Sequence, residues 1–152
     1  MKFKKTIAFD FDGVIHKYSK GWQDGSVYDP VLDGWVETVQ QLHQEGYNVI
    51  ILTTRPKRQV NKFLYEQYFY IDGMKTGAKT DDGFSCGFAF RVMPFYEKFF
   101  NSKKDHKDFK EKTVGICNHK AVFDVLIDDR AICFTGSYDG LKNKITNFKS
   151  WV

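Results

Sequence analysis

Two aspartates, Asp10 and Asp12, stand two residues apart at the end of an apolar run and are followed at once by Gly13. Residues two apart on a strand point to the same side. If the strand ends near Phe9 and the chain curls at Gly13, both carboxylates crowd one small volume. Two like charges so close are costly unless a cation or a shared proton offsets them. Alone, the pair reads as well as an Asx-type turn as it does a site. A second acidic pair, Asp128-Asp129, follows another apolar run, and Thr53-Thr54 follows a third. Joined in one place, these groups and a nearby lysine would supply metal-binding carboxylates, a nucleophile and donors to phosphoryl oxygens. That set is suited to phosphoryl transfer.

The elements that must position them are legible as pattern. Thr6–Phe9, Val49–Leu52, Val114–Cys117 and Val125–Ile127 are short, rich in β-branched residues and nearly without alternation, as buried parallel strands are. Between the first two, Asp33–Glu45 carries Trp35, Val36, Val39 and Leu42 at helical spacing, with Gly46 as a stop. Pro56 suits a helix start, and Gln59–Phe69 places Val60, Phe63, Leu64 and Phe69 on one face. Tyr138–Phe148 reads as a last helix with Leu141, Ile145 and Phe148 inward. Strands alternating with helices predict an α/β fold, a doubly wound, mainly parallel sheet flanked by helices. In such sheets ligands bind beyond the carboxyl ends of the strands, which is where Asp10, Asp12, Thr53, Thr54, Asp128 and Asp129 fall. Lys120 follows the third run at short remove.

The stretch 71–112 breaks this rhythm. It begins with glycines in polar surroundings, turns aromatic at Phe84–Phe90 and Phe95–Phe100, and ends in the charged run Lys103–Lys112. It reads as a long surface excursion or as a small cap inserted over the site. No linker divides the chain, so residues 1–152 read as one domain.

Bulk properties narrow the class. At 152 residues, 42% hydrophobic and 17% aromatic, the chain is a folded globule with a core of its own. A net charge of +4 favours anionic ligands, phosphates included, but is too small to indicate nucleic-acid binding by itself. Three cysteines, Cys86, Cys117 and Cys133, with no CxxC spacing, suggest neither a disulfide framework nor a zinc knuckle. With no signal-peptide pattern and no apolar run near the ~20 residues of a membrane span, a reducing cytoplasm is the expected location.

The ordered set resembles the haloacid dehalogenase-like (HAD) superfamily of hydrolases. Asp10-Phe11-Asp12-Gly13-Val14 is similar to its first motif, DxDG[TV], and Ile50-Ile51-Leu52-Thr53 to the second, an apolar strand ending in Thr or Ser. Lys120, four residues before Asp124, fits the third, and Leu126-Ile127-Asp128-Asp129 the fourth. The resemblance runs from Thr6 to about Phe134, outside the middle stretch. The flanks Tyr28-Asp29-Pro30, Thr54-Arg55 and Asp128-Asp129-Arg130-Ala131-Ile132 resemble small, capless or minimally capped members found in phages and bacteria.

The resemblance implies an HAD-like Rossmannoid fold with an insertion between the second and third motifs, and a Mg2+-dependent phosphatase. Asp10 would be the nucleophile that forms an aspartyl-phosphate, and Asp12 the acid and base. Thr53 would bind a phosphoryl oxygen, and Lys120 would neutralise charge and hold Asp10. Mg2+ would be held by Asp10, the backbone carbonyl of Asp12, Asp128 and, directly or through water, Asp129. Arg55, Arg130 and Thr54 are candidates for substrate contact, although Arg130 could equally pair with Asp129.

The substrate class expected is a small phosphorylated metabolite or a nucleotide. A polynucleotide or nucleotide terminal phosphatase is the nearest alternative. From another class come a silent HAD-like binding module and a receiver-type phosphoacceptor domain, though in receivers the acidic pair comes first rather than last. His16 and His119 read as solvated loop residues. Trp22 and Tyr28 read as a base-stacking pair or as loop cover.

Overall fold

In the computed structural model, residues 5–71, 74–75, 85–93, 113–119 and 121–150 are described. The chain runs β1 (Thr6–Asp10), α1 (Trp35–Gln44), β2 (Asn48–Leu52), α2 (Lys57–Tyr68), β3 (Tyr70–Ile71), β4 (Met74–Lys75), β5 (Ala89–Val92), β6 (Thr113–Cys117), β7 (Val125–Ile127) and α3 (Leu141–Thr146). Five strands form one sheet in the order β5-β6-β2-β1-β7, every neighbouring pair parallel. The short strands β3 and β4 make a separate antiparallel pair. This is the α/β, doubly wound type of sheet that the four apolar runs predict.

Why those runs form strands shows in the burial of alternate residues. Ile7, Phe9, Val49, Ile51, Val114 and Ile116 join one apolar cluster with Trp35 and Val39 of α1 and Val60 and Leu64 of α2. The intervening Ala8, Ile50 and Cys117 face a second cluster closed by Met93 and Ala121. Both sheet faces are therefore buried in the centre, which removes the polar alternation of a half-exposed strand. α1 runs from Gly34, in left-handed backbone at φ 86°, to a stop at Gly46, also at φ 86°. α2 starts directly after Pro56.

β1 is the strand at which the winding changes direction. The chain leaves it towards β2 on one side and returns to its other side as β7. Asp10 lies level with Leu52, Leu52 with Cys117, and Phe9 with Ile127. The residues that follow these strands thus share one edge, at the crevice where a doubly wound sheet binds ligands. Asp124 fixes the last strand from the opposite, amino end: its carboxylate accepts the Thr6 N–H at 2.8 Å and its own N–H donates to the Thr6 carbonyl at 2.9 Å.

Two expectations need correction. The last helix is shorter than Tyr138–Phe148, and its apolar residues do not point inward. No residue of α3 is buried, with Ile145 58% and Phe148 39% exposed. Helical spacing aligns a face but supplies no surface to bury it on, and β7, the strand before it in the chain, is itself an exposed three-residue edge. The second correction concerns part of 71–112. Ala89–Val92 is no excursion but the edge strand β5, with Phe88 and Phe90 packed on Trp35. Of the remainder, 72–73, 76–84 and 94–112 lie outside the described residues, and with them the question of a cap. No helix among the described residues is long and apolar enough to cross a membrane. All three cysteines are free, and burial pushes the thiols of Cys86 and Cys117 up to about 11.

Candidate functional site

After β1 the backbone curls tightly. The Phe11 carbonyl accepts the N–H groups of Ile15 at 2.9 Å and His16 at 2.8 Å, and the Gly13 N–H donates to the His16 carbonyl at 2.9 Å. Gly13 sits at φ +83°, and a Cβ there would lie 2.7 Å from Asp129 Oδ2. Glycine at this position therefore serves both the left-handed turn and the close approach of the Asp129 carboxylate. A cavity of about 1090 Å3 opens at this edge, lined among others by Asp10, Asp12, Thr53, Arg55, Asn118 and Asp128.

Asp10, Asp128 and Asp129 each offer a carboxylate oxygen, and the three oxygens lie within 4.8 Å of one another. Asp10 Oδ1 accepts the Phe11 N–H at 2.7 Å, and Asp128 Oδ1 the Arg130 N–H at 2.7 Å. The Asp129 side chain is only 2% exposed, and neither of its oxygens has a hydrogen-bond partner among the described residues. Among the described residues it pairs with Arg130, whose Nε lies 3.7 Å from Oδ2. Buried carboxylate oxygens without donors are costly. A hard divalent cation bound by oxygen would satisfy them, and the donor set fits one.

The electrostatics agree. Burial, reinforced by Asp128, Asp12 and Asp129, pushes the Asp10 carboxyl up to about 6 against the pull of the Phe11 N–H. Burial likewise raises Asp129, with Arg130 opposing. A carboxyl raised in the folded state adds stability below its unfolded value near 4, and that stability is lost as pH rises through about 6. Without metal, Asp10→Asn should therefore be more stable than wild type at pH 7.5, by about 1–2 kcal/mol once solvent screening is allowed for. The advantage should vanish near pH 4. Urea unfolding of the two proteins at both pH values checks this, and an unchanged difference would count against the crowding of charge at Asp10.

Asp12 is held quite differently. Its Oδ1 accepts from His16 Nδ1 at 2.7 Å, and its Oδ2 from Arg55 Nε at 2.7 Å. His16 Nε2 accepts the Asp29 N–H at 3.0 Å, so the ring proton sits on Nδ1, facing Asp12. Burial alone would raise the Asp12 carboxyl, but the bonds from His16 and Arg55 outweigh it and hold the group below the usual carboxylate range. Asp10 and Asp12, alike in sequence, are thus held at opposite ends of the carboxylate scale.

Thr53 is buried at the cavity wall, its hydroxyl accepting the Arg55 N–H at 3.1 Å, while Thr54 is exposed. Both line the cavity. Asn118 pins this turn from β6, its Nδ2 donating to the carbonyls of Thr53 at 2.7 Å and Arg55 at 2.6 Å. Arg55, read from sequence as a substrate clamp, is 5% exposed and spends its Nη1 on the Gly25 carbonyl at 2.6 Å as well as its Nε on Asp12. Arg130 is half exposed beside Asp129, in the pairing the sequence left open. Lys120 lies outside the described residues.

His16 corrects a third expectation. It is no solvated loop residue but fully buried, ringed by Phe11, Tyr18, Tyr28 and Phe63. Its spacing of four from Asp12 was the available signal, readable only once the curl after β1 is known. Asn118 carried a similar signal, coming directly after a strand end.

The Gly13 contact makes a direct test of the acidic cluster. Gly13→Ala should cost about 1–3 kcal/mol of stability, and its Cβ should push Asp129 out of place. Calorimetric titration should then show divalent-cation affinity reduced at least tenfold; unchanged affinity would mean that Asp129 is not part of a metal site. Comparison of the chain with protein-family models, with curated proteins and with solved structures gives no match.

Proposed function

We propose that this protein is a Mg2+-dependent phosphomonoester hydrolase of the haloacid dehalogenase-like type, working through an aspartyl-phosphate on Asp10. One observation carries the reading: the buried side chain of Asp129, without a hydrogen-bond donor among the described residues, converges with Asp10 and Asp128 within 4.8 Å, beside an Asp12 that is held ionised. A silent binding module would have no use for two neighbouring carboxylates tuned in opposite directions.

Asp10, Asp128 and Asp129 would hold the cation, with the Asp12 carbonyl completing the set as the resemblance implies. When bound, the cation supplies positive charge that lets Asp10 ionise at neutral pH and offsets the charge of the phosphoryl group. Asp10 would then attack phosphorus, and the bond from phosphorus to the leaving oxygen would break as the acyl phosphate on Asp10 forms. Thr53 and the exposed Thr54 offer hydroxyls to the phosphoryl oxygens. Asp12, ionised and gripped at both oxygens, would take a proton from the water that hydrolyses the acyl phosphate. The same grip opposes its service as an acid in the first step. Esters with good leaving groups, which need little protonation, should therefore be turned over fastest.

The test is turnover of a generic aryl phosphate with and without Mg2+. Hydrolysis that needs the metal and stops on chelation is expected. No turnover of any phosphomonoester by a protein that still binds Mg2+ would overturn the proposal in favour of a binding module.

A further inference from the structure

The cavity has an aromatic end that the proposed chemistry does not use. The loop 17–31 returns to its start, with the Lys17 N–H donating to the Pro30 carbonyl at 3.0 Å and the Leu32 N–H to the Ile15 carbonyl at 2.7 Å. It is braced inside. Ser19 N–H donates to Asp29 at 2.6 Å, Lys20 N–H donates to the Tyr28 hydroxyl at 3.0 Å, and that hydroxyl donates to the Gly21 carbonyl at 2.7 Å. Tyr18 is held in left-handed backbone, φ 56°, which costs a non-glycine residue about 1–2 kcal/mol. Its buried ring stacks on Tyr28 and lies 5.9 Å from the Arg55 guanidinium and 5.6 Å from that of Arg130. Tyr28 is thereby loop structure rather than a free stacking surface.

At the tip of this braced loop Trp22 lines the cavity while 70% exposed. The edge of its ring approaches Gly25, where a Cβ would come within 3.3 Å of Trp22 Cη2. The Gly25 carbonyl accepts from Arg55 Nη1 at 2.6 Å and from Gln59 Nε2 at 2.7 Å. A chain of contacts thus runs from Asp12 through Arg55 and Gly25 to the indole, fixing its place relative to the phosphoryl end. A flat apolar surface held in place at a cavity wall costs little entropy to engage. It suits a ligand with a planar ring at the far end from its phosphate.

The rim says which ring-bearing ligand. Asp24 lies between Trp22 and Gly25, its Oδ1 accepting the N–H of Ser26 at 2.9 Å and the Ser26 hydroxyl at 2.6 Å. Asp10, Asp12, Asp24 and Asp128 line the cavity against two arginines, of which Arg55 is committed to Asp12 and Arg130 stands beside Asp129, so the balance among the described residues is acidic. One phosphoryl group at the metal is tolerated, but a run of backbone phosphates across this rim is repelled. From this geometry we infer that Trp22 is a stacking platform for the base of a nucleoside monophosphate, making mononucleotides the preferred substrates. The inference rests on the phosphatase reading for turnover but not for binding.

The experiment measures kcat and KM of wild type, Trp22→Ala and Trp22→Phe on a nucleoside 5′-monophosphate and on glycerol phosphate, which has no ring. It also follows nucleotide binding to Asp10→Asn and to Asp10→Asn/Trp22→Ala by equilibrium dialysis. Preference for the nucleotide should fall about tenfold or more in Trp22→Ala, mainly through KM, and return largely in Trp22→Phe. Equal loss on both substrates, or on neither, overturns the inference. So does a 5′-phosphorylated oligonucleotide that is a better substrate than the mononucleotide. Trp22-dependent nucleotide binding with no turnover of any phosphate would uphold the platform and sink the phosphatase reading instead.

Discussion

Asp10→Asn should lower kcat for an aryl phosphate by about a thousandfold or more and leave the protein folded. The amide is nearly the same size and keeps an oxygen to accept the Phe11 N–H, which Asp10 Oδ1 now accepts at 2.7 Å. What it removes is the charge and the nucleophilic oxygen. It also takes one of three oxygens from the acidic cluster, so weaker Mg2+ dependence should accompany the loss. The folded state should not suffer, because the wild-type carboxyl is pushed up to about 6 by burial and by its acidic neighbours. Steady-state kinetics beside an unfolding curve checks both halves. Residual activity within tenfold of wild type would remove Asp10 as nucleophile.

Asp12→Asn should behave otherwise. Attack by Asp10 on an activated aryl ester needs little acid help, whereas hydrolysis of the resulting acyl phosphate needs a base. The first turnover should survive as a burst of aryl alcohol and the steady rate should fall, by about a hundredfold to ten-thousandfold. The variant has a structural cost too. One Asp12 oxygen becomes an NH2 group, which must face either His16 Nδ1–H or Arg55 Nε–H, donor against donor. About 1–3 kcal/mol of stability should go with it, so rates are measured well below the denaturation midpoint. A steady rate equal to wild type would remove the proton-carrying role from Asp12. Loss of burst and steady rate together would place its role in the first step.

Both variants turn on a difference that the sequence shows only in part. That Asp10, Thr53 and Asp128 lie at one sheet edge was legible because β1, β2 and β6 are β-branched runs buried at the centre of the sheet. β7 reads as buried and is in fact an exposed edge strand, but it keeps the same β-branched pattern. Their order along the chain is enough to align their ends. β5 was hidden because its Phe90 and Arg91, with Phe88 just before it, lie in a stretch whose glycines and charges read as loop. The split between Asp10 and Asp12 was hidden for another reason. It depends on His16, buried by aromatic rings from three separate segments, and on Arg55, turned towards Asp12 by a carbonyl thirty residues away on the loop carrying Gly25. Such contacts come from tertiary packing, and no local pattern encodes them. The exposed α3 shows the converse, a clear helical pattern that finds no burying surface among the described residues.

Central to the account is a covalent phosphoryl group on Asp10, and finding that group tests it most directly. Asp12→Asn mixed with an aryl phosphate and Mg2+, quenched in acid during the burst and digested, should yield a phosphorylated peptide with the group mapped to Asp10 by mass spectrometry. It should be absent when Mg2+ is left out. A burst without any phosphorylated peptide, or a phosphoryl group on another residue, would contradict the account.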